Sequence, residues 1–319
     1  MSKEVKRINK VTIVGTLAEV GNLVFKDDMV NKNNEKIVGA ITREDFKKPA
    51  FVIDVDGQKI GVDVMPTYKK KVDKETNKIV DNDRFQALEK VMGYEVGTRV
   101  KIDAQINVGN PYMGKNGVVE PVSITAFTIS SSNVPSEDYA EGKVSGYIKE
   151  IKNETRGEDE DETGRLILDF WIVNYDGTIS PFPLVVEDDI AEGLSEVYSD
   201  GDSAILDYDI VVRQVGGKKA KSAGFGRKES KIVGGFSVTE YSIFDGEPSL
   251  DDESDYYIDE SDFKKLFKEH KLKVEEAKKA KVDEEDTKTK RGLGQRKSKV
   301  EVEEDDDDNP FDDWWLKFS

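Results

Sequence analysis

The chain repeats itself, and that repeat limits its architecture more than any other feature. The run from Thr12 to Val20 matches the run from Lys143 to Ile151 at Gly15 and Gly146, at Glu19 and Glu150, and at the apolar positions. Asp56-Gly57 is answered by Asp176-Gly177, each closing one apolar run and opening another. Gly97, Asp103, Ile106 and Val108 recur as Gly201, Asp207, Ile210 and Val212; Ser123, Thr125, Phe127 and Ile129 recur as Ser237, Thr239, Tyr241 and Ile243. Blocks in one order at steady offsets are the mark of a duplicated unit.

Within each copy three strand-like runs, a short helical run and two more strand-like runs follow one another. Ile102, Ala104, Ile106 and Val108 alternate with Lys101, Asp103, Gln105 and Asn107, the period of a half-buried strand. Asp-Gly at 56 and 57 predicts a tight hairpin, because such turns need positive φ. Asp83 and Gln86 have capping-box spacing ahead of Phe85, Leu88 and Met92, with Gly93 as a stop; Asp189 and Glu192 repeat it ahead of Leu194 and Val197. The expected fold is all-β: two tandem five-stranded OB-type barrels, each with a short helix between strands three and four, then a largely disordered acidic tail. The expected divisions are barrel one over 1–130, a linker over 131–138 containing Pro135, barrel two over 139–248, and a tail over 249–319. Within the tail, 263–281 can form an amphipathic helix with Phe263, Leu266, Phe267, His270 and Val274 on one side. The rest of the tail is too charged to bury the area that offsets chain entropy.

Composition removes whole classes of chemistry. The 319 residues hold no cysteine and a single histidine, His270, so thiol nucleophiles, thiolate metal sites and Ser-His relays have no material. No metal or cofactor is called for. Asp54 and Asp56 have a spacing that could hold Mg²⁺, but on a strand entering a turn such acids are ordinarily solvated hairpin residues. No enzymatic activity is expected. No run approaches the ~18 apolar residues of a membrane span, and the start MSKEVKRINK leads into an alternating strand, so a soluble, cytoplasmic protein is expected. The net charge of -18 is unevenly spread: 245–262 carries nine acids and no base, 263–300 fourteen bases against seven acids, and 301–319 nine acids and Lys317. The body before 245 remains acidic, so phosphate binding has to come from local basic loops.

A single strand needs cations along its backbone and flat side chains for its bases. The densest candidate is the hairpin between strands four and five of copy two, with Arg213, Lys218, Lys219, Lys221, Arg227, Lys228 and Phe225 among glycines. The matching loop of copy one offers Tyr112 and Lys115. Arg43, Phe46, Lys47 and Lys48, before strand two, and Tyr68, Lys69 and Lys70, after strand three, are further candidates. Tyr147 and Trp171 lie on strands of copy two, either as a stacking platform or as barrel core. At the far end, Asp305, Asp306, Asp307, Asp308, Pro310, Phe311, Trp314 and Trp315 set aromatic anchors among acids, suited to a protein partner or to folding back on the body.

The opening Asn9-Lys10-Val11-Thr12-Ile13-Val14-Gly15-Thr16-Leu17 resembles the first strand of bacterial and phage single-stranded DNA-binding proteins. The run Asp305 to Phe311 is similar to that family's acidic tip. Thr16 stands where the family often has arginine, two barrels occur where one is usual, and Asp312 to Ser319 follow the Pro-Phe pair. The resemblance implies sequence-tolerant binding and protection of single-stranded DNA in replication, recombination and repair, bacteriophage included, with the tip recruiting partner proteins. RNA is an open alternative as ligand, and monomer or homodimer as assembly. A different class is an OB-fold interaction adaptor or replication accessory factor without strong nucleic-acid binding, which the acidic body favours.

Overall fold

The computed structural model describes residues 5–30, 36–72, 78–114, 117–156, 161–219 and 232–291. The first half runs β1 (Asn9–Glu19), β2 (Leu23–Val30), β3 (Lys36–Arg43), β4 (Phe51–Val55), β5 (Gln58–Val64), β6 (Thr67–Tyr68), β7 (Lys70–Val72), β8 (Ile79–Asp81), α1 (Asp83–Met92), β9 (Arg99–Val108), β10 (Tyr112–Met113), β11 (Val118–Val119) and β12 (Val122–Ser130). The second runs β13 (Tyr139–Arg156), β14 (Asp161–Val173), β15 (Ile179–Pro181), β16 (Leu184–Val186), α2 (Asp188–Val197), β17 (Ser203–Lys219), β18 (Ile232–Gly246) and α3 (Glu260–Arg291).

The chain is mostly β, and its strands close into a five-stranded barrel of OB-like order. β1 pairs with β4, β4 with β5, β5 in parallel with β12, β12 with β9, and β9 returns to β1. Alternation does this: Val100, Ile102, Ala104 and Ile106 point inward from β9 while their neighbours face out. The same circuit of pairings recurs as β13, β14, β16, β18 and β17, again with one parallel contact, between β16 and β18. β1 also pairs antiparallel with β13, from Asn9 opposite Val144 to Val14 opposite Tyr139, so one sheet runs through both circuits.

The two copies agree in detail. Both first strands carry a register shift at the same point, between Leu17 and Glu19 and between Ile148 and Glu150. A Cβ on Gly15 would strike the Asp54 carbonyl, and one on Gly146 the Trp171 carbonyl, so each glycine allows the same close crossing. Gly97 N–H donates to Leu17 O, and Gly201 N–H to Ile148 O, each at 2.8 Å. The Asp56-Gly57 turn takes positive φ at both residues, 49° and 83°.

Several sequence expectations are corrected. Thr125 faces Asp63 and Gln105, whereas Ser242 faces Val185 and Asp209, so Thr125 answers Ser242 and not Thr239. The reason is that the hairpins leading into these fifth strands differ in length, while the bulges fall at equivalent points in both. Asn82, not Asp83, caps α1, accepting from the Arg84 N–H at 3.2 Å, and Val91 is buried on its inner face. α2 has Glu187 at its N-cap without a side-chain cap bond, because that carboxylate is taken by Arg165 and Arg213. Unread in the sequence was an arm of β2 and β3 that pairs with β6. The linker is tied down: Arg99 bonds Asp138 at 2.5 Å and Pro135 O at 2.7 Å.

The tail expectation also changes over its first part. Leu250 N–H bonds Ser203 O at 3.0 Å, and the buried Ser203 hydroxyl meets both the N–H and the carbonyl of Ile258. Ile258 and Phe263 then join Tyr147, Trp171 and Ile179 in a cluster of their own, apart from the main core, on the outer face of β13 and β14. This neighbouring apolar face gives the helix area to bury, which its own periodicity cannot supply.

Candidate nucleic-acid interface

On the outward face of β4 and β5 the first barrel presents a loop built for exposure. Asn22 holds it from below: its side-chain amide donates to the carbonyls of Asp45, Lys48 and Pro49 at 2.9, 3.0 and 2.9 Å, and its Oδ1 accepts from Asp45 N–H at 2.9 Å. Pro49 packs against Gly61 of β5, where any side chain would intrude. Phe46 stands out at 60% exposure, with Arg43 5.2 Å from its ring centroid and Lys47 and Lys48 beside it in solvent. Apolar rings held out in water are costly unless something covers them.

Arg43 itself is not a free cation. It is mostly buried, bonding Asp63 at 2.6 Å and reaching Lys48 O at 3.3 Å. Burial pushes the Asp63 carboxyl above its usual value, against the opposing pull of Arg43. Arg43 therefore shapes the loop more than it offers charge. Tyr68 is half-buried in β6, and Lys69 is exposed beside it. Lys70 is paired with Asp81 at 2.5 Å, but both are more than half exposed, and such pairs contribute only about 0–1 kcal/mol. A phosphate could replace that carboxylate at little cost. Tyr112 on β10 is 52% exposed; Lys115 lies outside the described residues.

In the second strand circuit the expected stacking residues are covered. Tyr147 and Trp171 face each other across β13 and β14 on the barrel exterior, so they are not core. Neither are they open: they are 4% and 5% exposed beneath α3. Phe263 stacks on Tyr147 at 4.0 Å, while Phe267 and His270 each meet Trp171 edge-on at 4.9 Å. The Trp171 indole N–H donates to Asp169 at 2.7 Å, and His270 Nε2 lies 3.3 Å from Glu120 of the first barrel. The aromatic stripe of 263–274 was legible in the sequence; its destination was not. Tyr175, two residues past Val173, is the open ring here at 86% exposure, with Arg7 4.5 Å over it.

Arg213 is likewise committed. It bonds Glu187 and, at 2.6 Å, Glu240, within a network that includes Arg165 bonded to Glu154 at 3.1 Å and to Glu240 at 2.6 Å. Burial works against the Arg165 charge, but Glu240, Glu154 and Glu187 prevail and hold its pKa above the ordinary value. Lys218 and Lys219 lie on the described backbone of β17 with side chains outside description; Lys221, Phe225, Arg227 and Lys228 lie outside the described residues altogether, as do Asp305, Asp306, Asp307, Asp308, Pro310, Phe311, Trp314 and Trp315. Two rings the sequence reading did not single out as contacts, Phe127 and Phe244, stand exposed at the register shifts of β12 and β18. Their signal would have been the bulge. Among the described residues no cluster suited to a metal ion is present, and no helix is long and apolar enough to cross a membrane.

Asn9, at the start of β1, has a structural role here. Its side-chain amide donates to Ile106 O and accepts from Ile106 N–H, both at 2.8 Å, extending the β9 ladder as a backbone unit would.

Among solved structures, the chain is similar to the wild-type single-stranded DNA binding protein from Thermus aquaticus, with 11% identity, TM-score 0.40, and coverage of 77% of this chain and 95% of that one. A deletion variant of the same Thermus aquaticus protein gives 13% identity, TM-score 0.38, and coverage of 77% and 97%. Comparison with curated proteins finds no match. The YorF family model matches residues 7–280, a span that takes in both strand circuits and the part of α3 that docks on the second, and by that match the chain belongs to the YorF family.

Proposed function

We propose that this protein binds single-stranded nucleic acid, DNA in the first instance, without regard to sequence, through two tandem OB barrels. The observation that supports the reading is the Asn22-pinned loop: Phe46 projects with Lys47 and Lys48 from the connection between β1 and β4, the first two strands of the circuit, and OB folds use that connection for oligonucleotides. A loop whose carbonyls are already held loses little entropy on binding. The exposed Tyr112, Lys69 and Lys70 extend the surface with the same two ingredients, rings and cations. The role is protection of exposed strands during replication, recombination or repair, with the acidic tip from Asp305 to Trp315 as the recruiting element for partner proteins and the cytoplasm, including that of a phage-infected host, as its setting.

The test is titration of labelled oligo-dT at low salt with the full chain and with one ending at residue 291. Loss of one stacked base costs about 1–3 kcal/mol, so Phe46→Ala weakens binding roughly 5- to 100-fold while leaving the fold intact. Absence of binding in both forms of the chain ends the proposal. A second reading, an interaction adaptor that kept the barrels and lost strong strand binding, is favoured by α3 filling the face of the second barrel. It is distinguished by tail-dependent partner capture with no response to oligo-dT.

A further inference from the structure

α3 brings cations to the barrel it covers. Its inner side, Phe263, Phe267 and His270, rests on Tyr147 and Trp171. Lys264, Lys268, Lys271 and Lys278 are all exposed and recur at helical spacing, which lines them along one flank. That flank runs beside Phe267, a half-buried ring approached by two ammonium groups: Lys271 at 4.6 Å and Lys149, from β13, at 5.4 Å. Asp169 meets the Lys149 charge, and Glu260 and Glu275 meet Lys264 and Lys278. Lys268 and Lys271 have no ion pair among the described residues.

We propose that Lys264, Lys268 and Lys271 of α3, with Lys149 of β13, form a track for the phosphates of a single strand; the inference rests on the nucleic-acid binding proposed above. The covered Trp171 and Tyr147 offer no stacking surface, so the face beneath α3 contributes through charge. At 1.5 Å per residue, Lys264 to Lys271 spans about 10 Å, the axial length of about three nucleotides at 3.4 Å each in a stacked strand. Lys149 and Lys271 both lie over the Phe267 ring, which sets the β13 lysine beside the α3 flank. The surface pairs with Glu260 and Glu275 are weak enough to yield to phosphate.

The experiment measures oligo-dT affinity of the full chain against salt for the parent, for Lys268→Gln with Lys271→Gln, and for a control with Lys90→Gln and Lys101→Gln. Each lost phosphate contact lowers the slope of log K against log salt by about 0.7 for a single strand. The α3 variant is expected to lose roughly 1.4 from that slope, the control nothing, and Lys268→Arg with Lys271→Arg to keep the parental value. An unchanged slope in the α3 variant overturns the track, and so does an equal drop in the control, which would reduce the effect to net charge. An arginine pair that behaves like the glutamine pair overturns it too, because the loss then follows the helix surface and not its charge. A parent that does not bind at all removes both the track and the function it rests on.

Discussion

Truncating Phe263 to alanine measures how firmly α3 covers the second barrel. Phe263 is 4% exposed, stacked at 17° on Tyr147, edge-on to Trp171 at 6.0 Å and parallel to Phe267 at 5.6 Å. An aromatic side chain buries about 150–250 Å², which at ~25 cal/mol per Å² corresponds to about 4–6 kcal/mol. Alanine keeps part of that, and measured Phe to Ala losses fall at about 3–5 kcal/mol. The lower end applies to a helix lying on a sheet exterior, since the gap can close by a shift of the helix. A loss of about 3 kcal/mol is roughly a hundredfold change in the undocking equilibrium.

Native-state hydrogen exchange on the full chain reads that equilibrium directly. Amides of 263–279 are expected to lose protection about a hundredfold, while those of β13 and β17 stay near parental values. In a background with Trp314 and Trp315 replaced by Phe, Trp171 emission shifts to the red as its cover loosens. Parental protection in α3 would show that the ring cluster does not hold the helix. Equal loss across β13, β17 and α3 would show that the helix is a part of the barrel's folding unit, and the picture of a separable cover would have to go.

Two further outcomes follow from buried charge and buried phenols. Arg165→Leu removes the guanidinium shared by Glu154 and Glu240, whose carboxylates are 4% and 2% exposed; breaking such a network costs about 3–5 kcal/mol, tempered here by Thr163 on Glu154 and Arg213 on Glu240, and urea denaturation showing a loss below about 1 kcal/mol would refute the pairing. Burial, then Asp245 and Glu247, raises the Tyr198 phenol to about 12, and burial raises Tyr208 and Tyr241 in the same direction. These folded values exceed the unfolded value of about 10, so the stability they contribute is whole below pH ~10 and is lost as pH rises toward 12. Phenolate absorbance and the urea midpoint between pH 9 and 11 check it; a constant midpoint would contradict the sign.

What the sequence made legible was whatever is local. Gly15 and Gly146, the Asp56-Gly57 turn and the alternation of β9 each follow from short-range sterics, and each stands where the pattern put it. What escaped was set by distant partners. Arg43 and Arg213 looked like free cations because Asp63, Glu187 and Glu240 are far from them in sequence. The match between the fifth strands slipped by three residues because the hairpins that precede them differ in length, so the offset of the fourth strands does not carry over; the bulges at Phe127 and Phe244 fall at equivalent points of the two copies. The apolar stripe of α3 was plain, yet nothing in a periodicity names the surface it will meet.

The two copies have diverged at one place that bears on any ligand. Register and glycine crossings make Thr16 and Asp54 the counterparts of Tyr147 and Trp171. The first barrel thus has small and acidic residues where the second has an aromatic pair, and only the second is followed in the chain by a helix carrying rings to cover them. Residues 247–259 form a short tether that is itself bonded to the barrel through Leu250 and Ile258. A short tether gives an effective concentration on the order of millimolar or more, so even modest intrinsic affinity keeps α3 docked against a competing strand in dilute solution. The proposed binding is therefore asymmetric: base stacking belongs to the Phe46 loop of the first barrel, backbone contact to the lysine flank over the second. Exchanging Thr16 and Asp54 for an aromatic pair would give the first barrel a platform with no helix to hide it, which is the configuration the second barrel's own sequence avoids.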